Sequence, residues 1–135
     1  MFRMLDERTL VTGQIAIDDI TDAAAQGVTM IVNNRPDHEE PGQLTSAEIE
    51  AAARAAGLDY RHIPVAGGLN PTQIDAMAEA LGGADGKTLA FCKAGTRSTY
   101  LWALAQSSRG VDGDTLIAQA AGAGYDLSPL RPHLS

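Results

Sequence analysis

The chain has 135 residues, 44% of them hydrophobic and 20% charged, and a net charge of −7. This suits one ordinary soluble domain, expected to span 1–135, and its acidity excludes nucleic acid or anionic membrane as main partners, since both need a basic surface. A single cysteine excludes an internal disulfide and a zinc ribbon.

TLVT (9–12) is a short β-like stretch ending at Gly13. A helix follows over about 17–26, with Asp18, Asp19 and Asp22 near its amino end, where the dipole favours acids. VTMIVNN (28–34) is apolar and β-rich and reads as a buried strand. RPDHEEPGQL (35–44), polar with two prolines, is a loop. Thr45 and Glu48 have capping-box spacing and open a helix to about Ala56, which Gly57 ends. LDYRHIPV (58–65) is the next strand and AGGLN a flexible loop. Asn70 caps and Pro71 starts a helix to about Leu81. KTLAF (87–91) is a strand, and a helix over about 97–107 follows the loop CKAGTR. Asp112 or Asp114 starts a further helix near 114–122, and the tail YDLSPLRPHLS is a short turn or helix, then irregular. Strands alternating with helices predict an α/β domain: a mainly parallel core of four to five strands flanked by helices.

The amino-terminal stretch MFRMLDERTL lacks the apolar core of a secretory signal. No apolar run nears the roughly 18 residues of a membrane span. A reducing cytoplasm is the expected setting, where a lone thiol stays free.

The stretch FCKAGTRST (91–99) carries the chemistry. Cys92 directly follows an apolar strand, and ligands of open α/β sheets bind at the carboxyl ends of strands. The loop then enters a helix amino terminus, whose unpaired N–H groups and positive dipole end favour an anion and a thiolate. Gly95 lets the chain curl so that the amides of Lys93, Ala94, Gly95, Thr96 and Arg97 form an anion nest. Arg97 offers a bidentate fork to an oxyanion, and Ser98 or Thr99 is a candidate donor to the sulfur. A lone cysteine after a strand is often a buried small hydrophobe. The sequence strand, Cys, Gly-containing loop, Arg, helix favours a nucleophile instead.

MIVNNRPDHEEPGQLTSAEIEAAARAAGLDYRHIPV followed by FCKAGTRSTYLWALA resembles the bacterial beta-lactamase-hydrolase-like, phosphatase-like domain family over roughly 5–125. The resemblance implies a fold related to dual-specificity and tyrosine phosphatases. Some members are fused to, or encoded beside, persulfide-oxidising metallo-hydrolases, and the family is also described as sulfur transferases. It therefore implies either sulfur or phosphate chemistry.

Two features bear on that choice. Tyrosine-phosphatase-like enzymes carry five residues between Cys and Arg, whereas rhodaneses commonly carry four, and this chain has four. A shorter ring loses an inward donor for phosphoryl oxygens. Dual-specificity phosphatases place an aspartate general acid soon after a strand like YRHIPV; here AGGLN follows, with no carboxylate before Asp75, which is expected on a helix surface. Asp37 remains the candidate acid, against its reading as a solvated turn residue. Sulfur transfer needs no such acid when a good thiol-type group leaves.

The expected function is thus a cysteine-dependent, rhodanese-like sulfurtransferase acting through a Cys92 persulfide held by Arg97. The alternative is a phosphatase-like hydrolase of phosphate esters acting through a phosphocysteine. A second alternative is a non-catalytic anion-binding or redox-sensing module. The substrate is a small sulfur-containing or phosphorylated molecule, with a thiol acceptor and a persulfide-oxidising enzyme as expected partners. No cofactor or metal is expected: His38, Glu39 and Glu40 are adjacent and do not converge on one ion in an extended chain.

Arg35 follows the MIVNN segment and adds positive potential to the site or pairs with Asp37, Glu39 or Glu40. Asn33 and Asn34 are read as architectural supports beside it, and His62 as a structural histidine. Lys93 steers anions or is simply exposed, and Gly67 and Gly68 flank the pocket or make a turn. Leu101 and Trp102 are read as core. The family pattern favours Gln14 as a buttress of the active loop.

Overall fold

A computed structural model of the chain describes residues 2–134. Met1 and Ser135, the ends of the expected domain span, lie outside the described residues. The elements in chain order are β1 (Arg3–Asp6), β2 (Thr9–Thr12), α1 (Ile17–Ala25), β3 (Val28–Asn33), α2 (Ser46–Ala55), β4 (Asp59–His62), α3 (Pro71–Gly83), β5 (Lys87–Phe91), α4 (Thr96–Ser108) and α5 (Gly113–Gly122). A 3-10 turn over Ser128–His133 follows.

The sheet has the order β1-β2-β5-β3-β4, with β1 antiparallel and the other neighbours parallel. This is the expected α/β architecture of a parallel core flanked by helices, extended by an antiparallel edge strand that the sequence reading left unassigned. Alternation along the strands divides the core. Met30 and Val32 of β3 and Ala90 of β5 face Met77, Leu101, Trp102 and Leu116 of α3, α4 and α5. Ile31, Leu89 and Phe91 face Ile20 of α1 and Ile49 of α2. Each fully buried Ile or Leu contributes about 1.5–3 kcal/mol of transfer free energy. Leu101 and Trp102 are fully buried, and the Trp102 indole N–H donates to Asp6 (3.2 Å).

Local chemistry sets the helix starts. Thr45 accepts from the Glu48 amide (3.2 Å) while Glu48 accepts from the Thr45 amide (3.0 Å), completing the capping box. Asn70 accepts from the Gln73 amide (2.9 Å) ahead of Pro71, and Asp112 accepts from the Thr115 amide (3.2 Å) ahead of α5. β4 is shorter than the expected 58–65. Ile63 and Val65 still donate to the carbonyls of Asn33 and Asn34 (2.9 and 3.0 Å), but Pro64 between them has no N–H, so the ladder ends.

Register decides where the loops meet. Phe91 pairs with Thr12 on one side and Asn33 on the other. The segments after β2, β5 and β3, beginning at Gly13, Cys92 and Asn34, therefore leave the sheet together at its carboxyl end. Among the described residues, no helix is long and apolar enough to cross a membrane.

Candidate active site

Cys92 lies one residue past β5 and is only 1% exposed, so its thiol sits at the floor of the loop rather than on the surface. The Gly95 amide donates to its sulfur (3.1 Å). Gly95 is the N-cap of α4, with φ +90 and no side-chain cap bond, so the first-turn amides of α4 lack both intrahelical acceptors and a capping side chain. A Cβ at residue 95 would fall 2.1 Å from the Tyr125 hydroxyl, so glycine is required there for space as well as for backbone conformation.

Neighbours tie the loop's carbonyls outward. The Gln14 amide donates to the Lys93 carbonyl (3.2 Å), and Thr99 donates both its amide (3.0 Å) and its hydroxyl (2.8 Å) to the Gly95 carbonyl. In a trans peptide the N–H points opposite to the C=O. Outward carbonyls at Lys93 and Gly95 therefore turn the amides of Ala94 and Thr96 toward the concave side. The Gln14 contact with the loop uses its backbone N–H, while its side-chain oxygen accepts from Arg35 (3.0 Å). Thr99 bonds the loop backbone instead of the sulfur, because helical spacing puts its side chain over the Gly95 carbonyl. Ser98 is fully buried, and its hydroxyl makes no hydrogen bond among the described residues.

Arg97 presents its fork to Glu39, with Nη1 donating to Oε2 (2.7 Å) and Nη2 to Oε1 (3.0 Å). Nη1 also donates to the Val65 carbonyl (2.9 Å). Glu39 is shared, since Arg35 donates its Nε to the same Oε1 (2.8 Å). Arg35 is 3% exposed and also donates to Gln14 Oε1 (3.0 Å) and to Glu40. Lys93, on the surface, faces Glu40 at 3.5 Å. Three cations and two carboxylates thus ring the loop and leave one net positive charge. The Arg97 hydrogen bond, aided by Arg35 and opposed by burial, holds Glu39 down to about 2. Arg35 first, then Lys93, keeps Glu40 below the ordinary carboxylate range. Glu39 in turn raises Arg97 above its ordinary value, and the charge of Cys92 adds to this. Both carboxylates are ionised at neutral pH and have no proton to give.

Asp37 is placed elsewhere. Its carboxylate accepts from the Ser46 amide (2.7 Å) at the start of α2, an anchoring bond at a helix amino end. The candidate general acid is therefore engaged in structure, with no hydrogen bond to the 92–97 loop among the described residues. The Asn34 amide donates to the Phe91 carbonyl (2.8 Å) and its side chain to the Ile63 carbonyl (2.9 Å). Asn33 bonds the Tyr60 hydroxyl (3.1 Å), and His62 Nε2 lies 2.9 Å from the Arg35 carbonyl. Asp75 is exposed on α3. Sequence reasoning missed Glu39 as the partner of Arg97. The carboxylate pair a few residues after an arginine was visible, but its pairing with a residue 58 positions away was not.

The arrangement provides a recessed sulfur and inward amides, with the Arg97 guanidinium beside them and its fork taken by Glu39. Unpaired amides at a helix amino end are groups that suit an anion. A model of the family described as "Beta-lactamase hydrolase-like protein, phosphatase-like domain" matches residues 1–109. A beta-lactamase hydrolase-like protein of Agrobacterium fabrum is 41% identical over 99 residues, covering 73% of this chain and 23% of the relative. A Xylella fastidiosa relative of the same description is 38% identical over the same coverage. The chain thus spans about a quarter of these relatives' length. Among solved structures, a Neisseria meningitidis protein provisionally described as a phosphatase is 30% identical, with TM-score 0.84 over 98% of this chain and 95% of its own. The P. aeruginosa protein TpbA, solved with phosphotyrosine, shares the fold at TM-score 0.65 and 13% identity, covering 96% of this chain and 75% of its own.

Proposed function

The chain belongs to the phosphatase-like domain family of the beta-lactamase hydrolase-like proteins, and from that premise we propose that it is a cysteine-nucleophile hydrolase of small phosphate monoesters. The observation that carries this reading is the Cys92 sulfur facing the Gly95 amide at the strand-loop-helix junction of a tyrosine-phosphatase-like fold. The Cys92 thiolate attacks phosphorus and forms an S–P bond, and the ester oxygen leaves with the bonding pair. Water then attacks the phosphocysteine, returning the thiolate and releasing phosphate. The loop amides and Arg97 stabilise the equatorial oxygens, which requires the Arg97 fork to exchange its carboxylate partner for substrate. Glu39 and Glu40 are held ionised and Asp37 is bound to the α2 amide, so none is placed to protonate the leaving oxygen. Esters of acidic alcohols, above all phenols, are the substrates that tolerate this.

Two observations favour a second reading. The four-residue loop and the missing proton donor suit sulfur transfer, which needs neither a wide ring nor an acid. There the thiolate attacks the outer sulfur of thiosulfate or a persulfide, expels sulfite or a thiolate, and passes the bound sulfur to an acceptor thiol. A persulfide-oxidising enzyme would then be its natural partner, in a reducing cytoplasm.

Mass spectrometry of the intact protein, with Cys92→Ser as control, separates the two. After incubation with an aryl phosphate, the first reading predicts phenol release and a phosphorylated Cys92, both reduced by about four orders of magnitude or lost in the serine variant. After thiosulfate, a gain of one sulfur atom on Cys92 with no phosphatase turnover selects sulfur transfer. If both assays are blank while phosphate still raises the melting temperature, the site is a non-catalytic anion module.

A further inference from the structure

The middle peptide of the nucleophile loop, Ala94–Gly95, is fixed from outside the family-matched span. The tie comes from Tyr125, beyond α5 and beyond residues 1–109. Its hydroxyl donates to the Ala94 carbonyl (3.1 Å). That carbonyl shares its peptide plane with the Gly95 N–H, the group that donates to the Cys92 sulfur (3.1 Å). The two hydrogen bonds therefore leave opposite edges of one rigid peptide unit. Tightening one orients and polarises the other.

The fold places this hydroxyl with care. Gly124, at φ +94, ends α5 and turns the chain back toward the loop. The Tyr125 amide donates to the Ala120 carbonyl (2.9 Å), and Arg3 reaches from β1 to the Ala123 carbonyl (2.9 Å). The ring packs against the core while the hydroxyl occupies the space where residue 95 has no side chain.

We propose that Tyr125 is a positioning residue for the nucleophile: it holds the Ala94 carbonyl outward so that the Gly95 amide aims at Cys92. The proposal rests on Cys92 being the nucleophile and holds for phosphate or sulfur chemistry alike. Burial raises the Tyr125 hydroxyl above its ordinary value; the Cys92 charge adds to this and Arg3 opposes it, so the phenol is a donor at neutral pH.

Tyr125→Phe removes the donor and keeps the ring. The test measures alkylation of Cys92 by iodoacetamide at pH 7, below the melting temperature of every variant. Loss of one hydrogen bond is expected to slow alkylation roughly three- to tenfold. Aryl phosphate turnover should lose the same factor in kcat, with KM changed by less than about twofold, because the lost contact orients the attacking group and not the bound anion. The melting temperature should move by no more than a few degrees. Tyr125→Leu, which also removes the ring, should slow alkylation equally while lowering the melting temperature further. Unchanged alkylation in Tyr125→Phe, or a loss seen only with leucine, overturns the proposal, since packing alone would then explain the contact. If the parent protein turns over no phosphate, the hydrolase reading fails while the alkylation result still decides the role of Tyr125.

Discussion

Two neighbouring loops close the carboxyl end of the sheet, one after β5 (92–95) and one after β3 (34–45), and they hold their shapes by different means. In the first, backbone groups do the binding. The carbonyls of Lys93, Ala94 and Gly95 are held by Gln14, Tyr125 and Thr99, and the Gly95 amide points at the sulfur. In the second, side-chain charge dominates: Glu39 bridges Arg35 and Arg97, and Glu40 joins Arg35 to Lys93. His38, at φ +64, is the non-glycine residue with positive φ among those described, and it lies beside the two carboxylates. The contrast assigns different tasks. Neutral backbone bonds fix the loop around the proposed nucleophile, so its geometry should not change with salt. Partly exposed ion pairs can exchange partners, which the Arg97 fork must do when an anion arrives.

The sharpest way to break the contrast is to disturb the backbone loop sterically. Gly95→Ala forces a non-glycine residue into the left-handed region and drives its Cβ into the Tyr125 hydroxyl. The backbone term alone costs about 1–2 kcal/mol. We expect a clear fall in melting temperature and a more than tenfold loss of Cys92 alkylation and of turnover. A variant with parental alkylation would show that the Gly95 geometry does not set the nucleophile. Arg97→Lys probes the point where the loops join. Lysine keeps the charge but loses the planar fork that spans both Glu39 oxygens. Turnover should fall by about a hundredfold, as for loss of an oxyanion donor, while alkylation of Cys92 changes far less. Equal losses in both assays would mean that the arginine shapes the sulfur's surroundings and not the substrate's.

The backbone loop was largely legible in the sequence and the charged loop only half so. Strand, Cys, Gly, Arg and helix follow each other within ten residues, so local pattern carried their arrangement. The capping residues Thr45 and Asn70 were legible for the same reason, and the third cap was narrowed to Asp112 or Asp114, of which the structure uses Asp112. Contacts between distant segments were not. Glu39 meets Arg97 only because β3 and β5 pair in the register Asn33 with Phe91. Tyr125 reaches Ala94 across 31 residues; the Gly124 helix end that turns the chain is a local feature, but the contact it leads to is not. β1 was missed because RMLD lies at an edge with Met4 62% exposed and a register shift before Asp6, so its apolar alternation is weak. The aspartate expected near the nucleophile went to a helix end, since Asp37 lies close enough to α2 to satisfy the Ser46 amide.

The smallest expected effect tests the charged loop itself. Glu39 has a folded value of about 2, below its ordinary 4.5, set first by the Arg97 hydrogen bond. Its ionised form therefore stabilises the fold fully above about 4.5, and that contribution disappears as pH falls toward 2. In Glu39→Gln the contribution is absent at every pH. The Arg97–Glu39 pair is partly exposed, and such pairs are worth about 0.2–1 kcal/mol, so the variant should melt a few degrees lower at neutral pH. The gap should close as pH drops through that window, and it should shrink in 1 M salt, where the screening length is about 3 Å. Phosphate should stabilise the variant more than the parent, since its Arg97 fork no longer faces a carboxylate. A gap that persists at low pH and high salt would mean that Glu39 acts by shape. The charged loop would then be as rigid as its neighbour, and Arg97 would have to bind its anion without releasing Glu39.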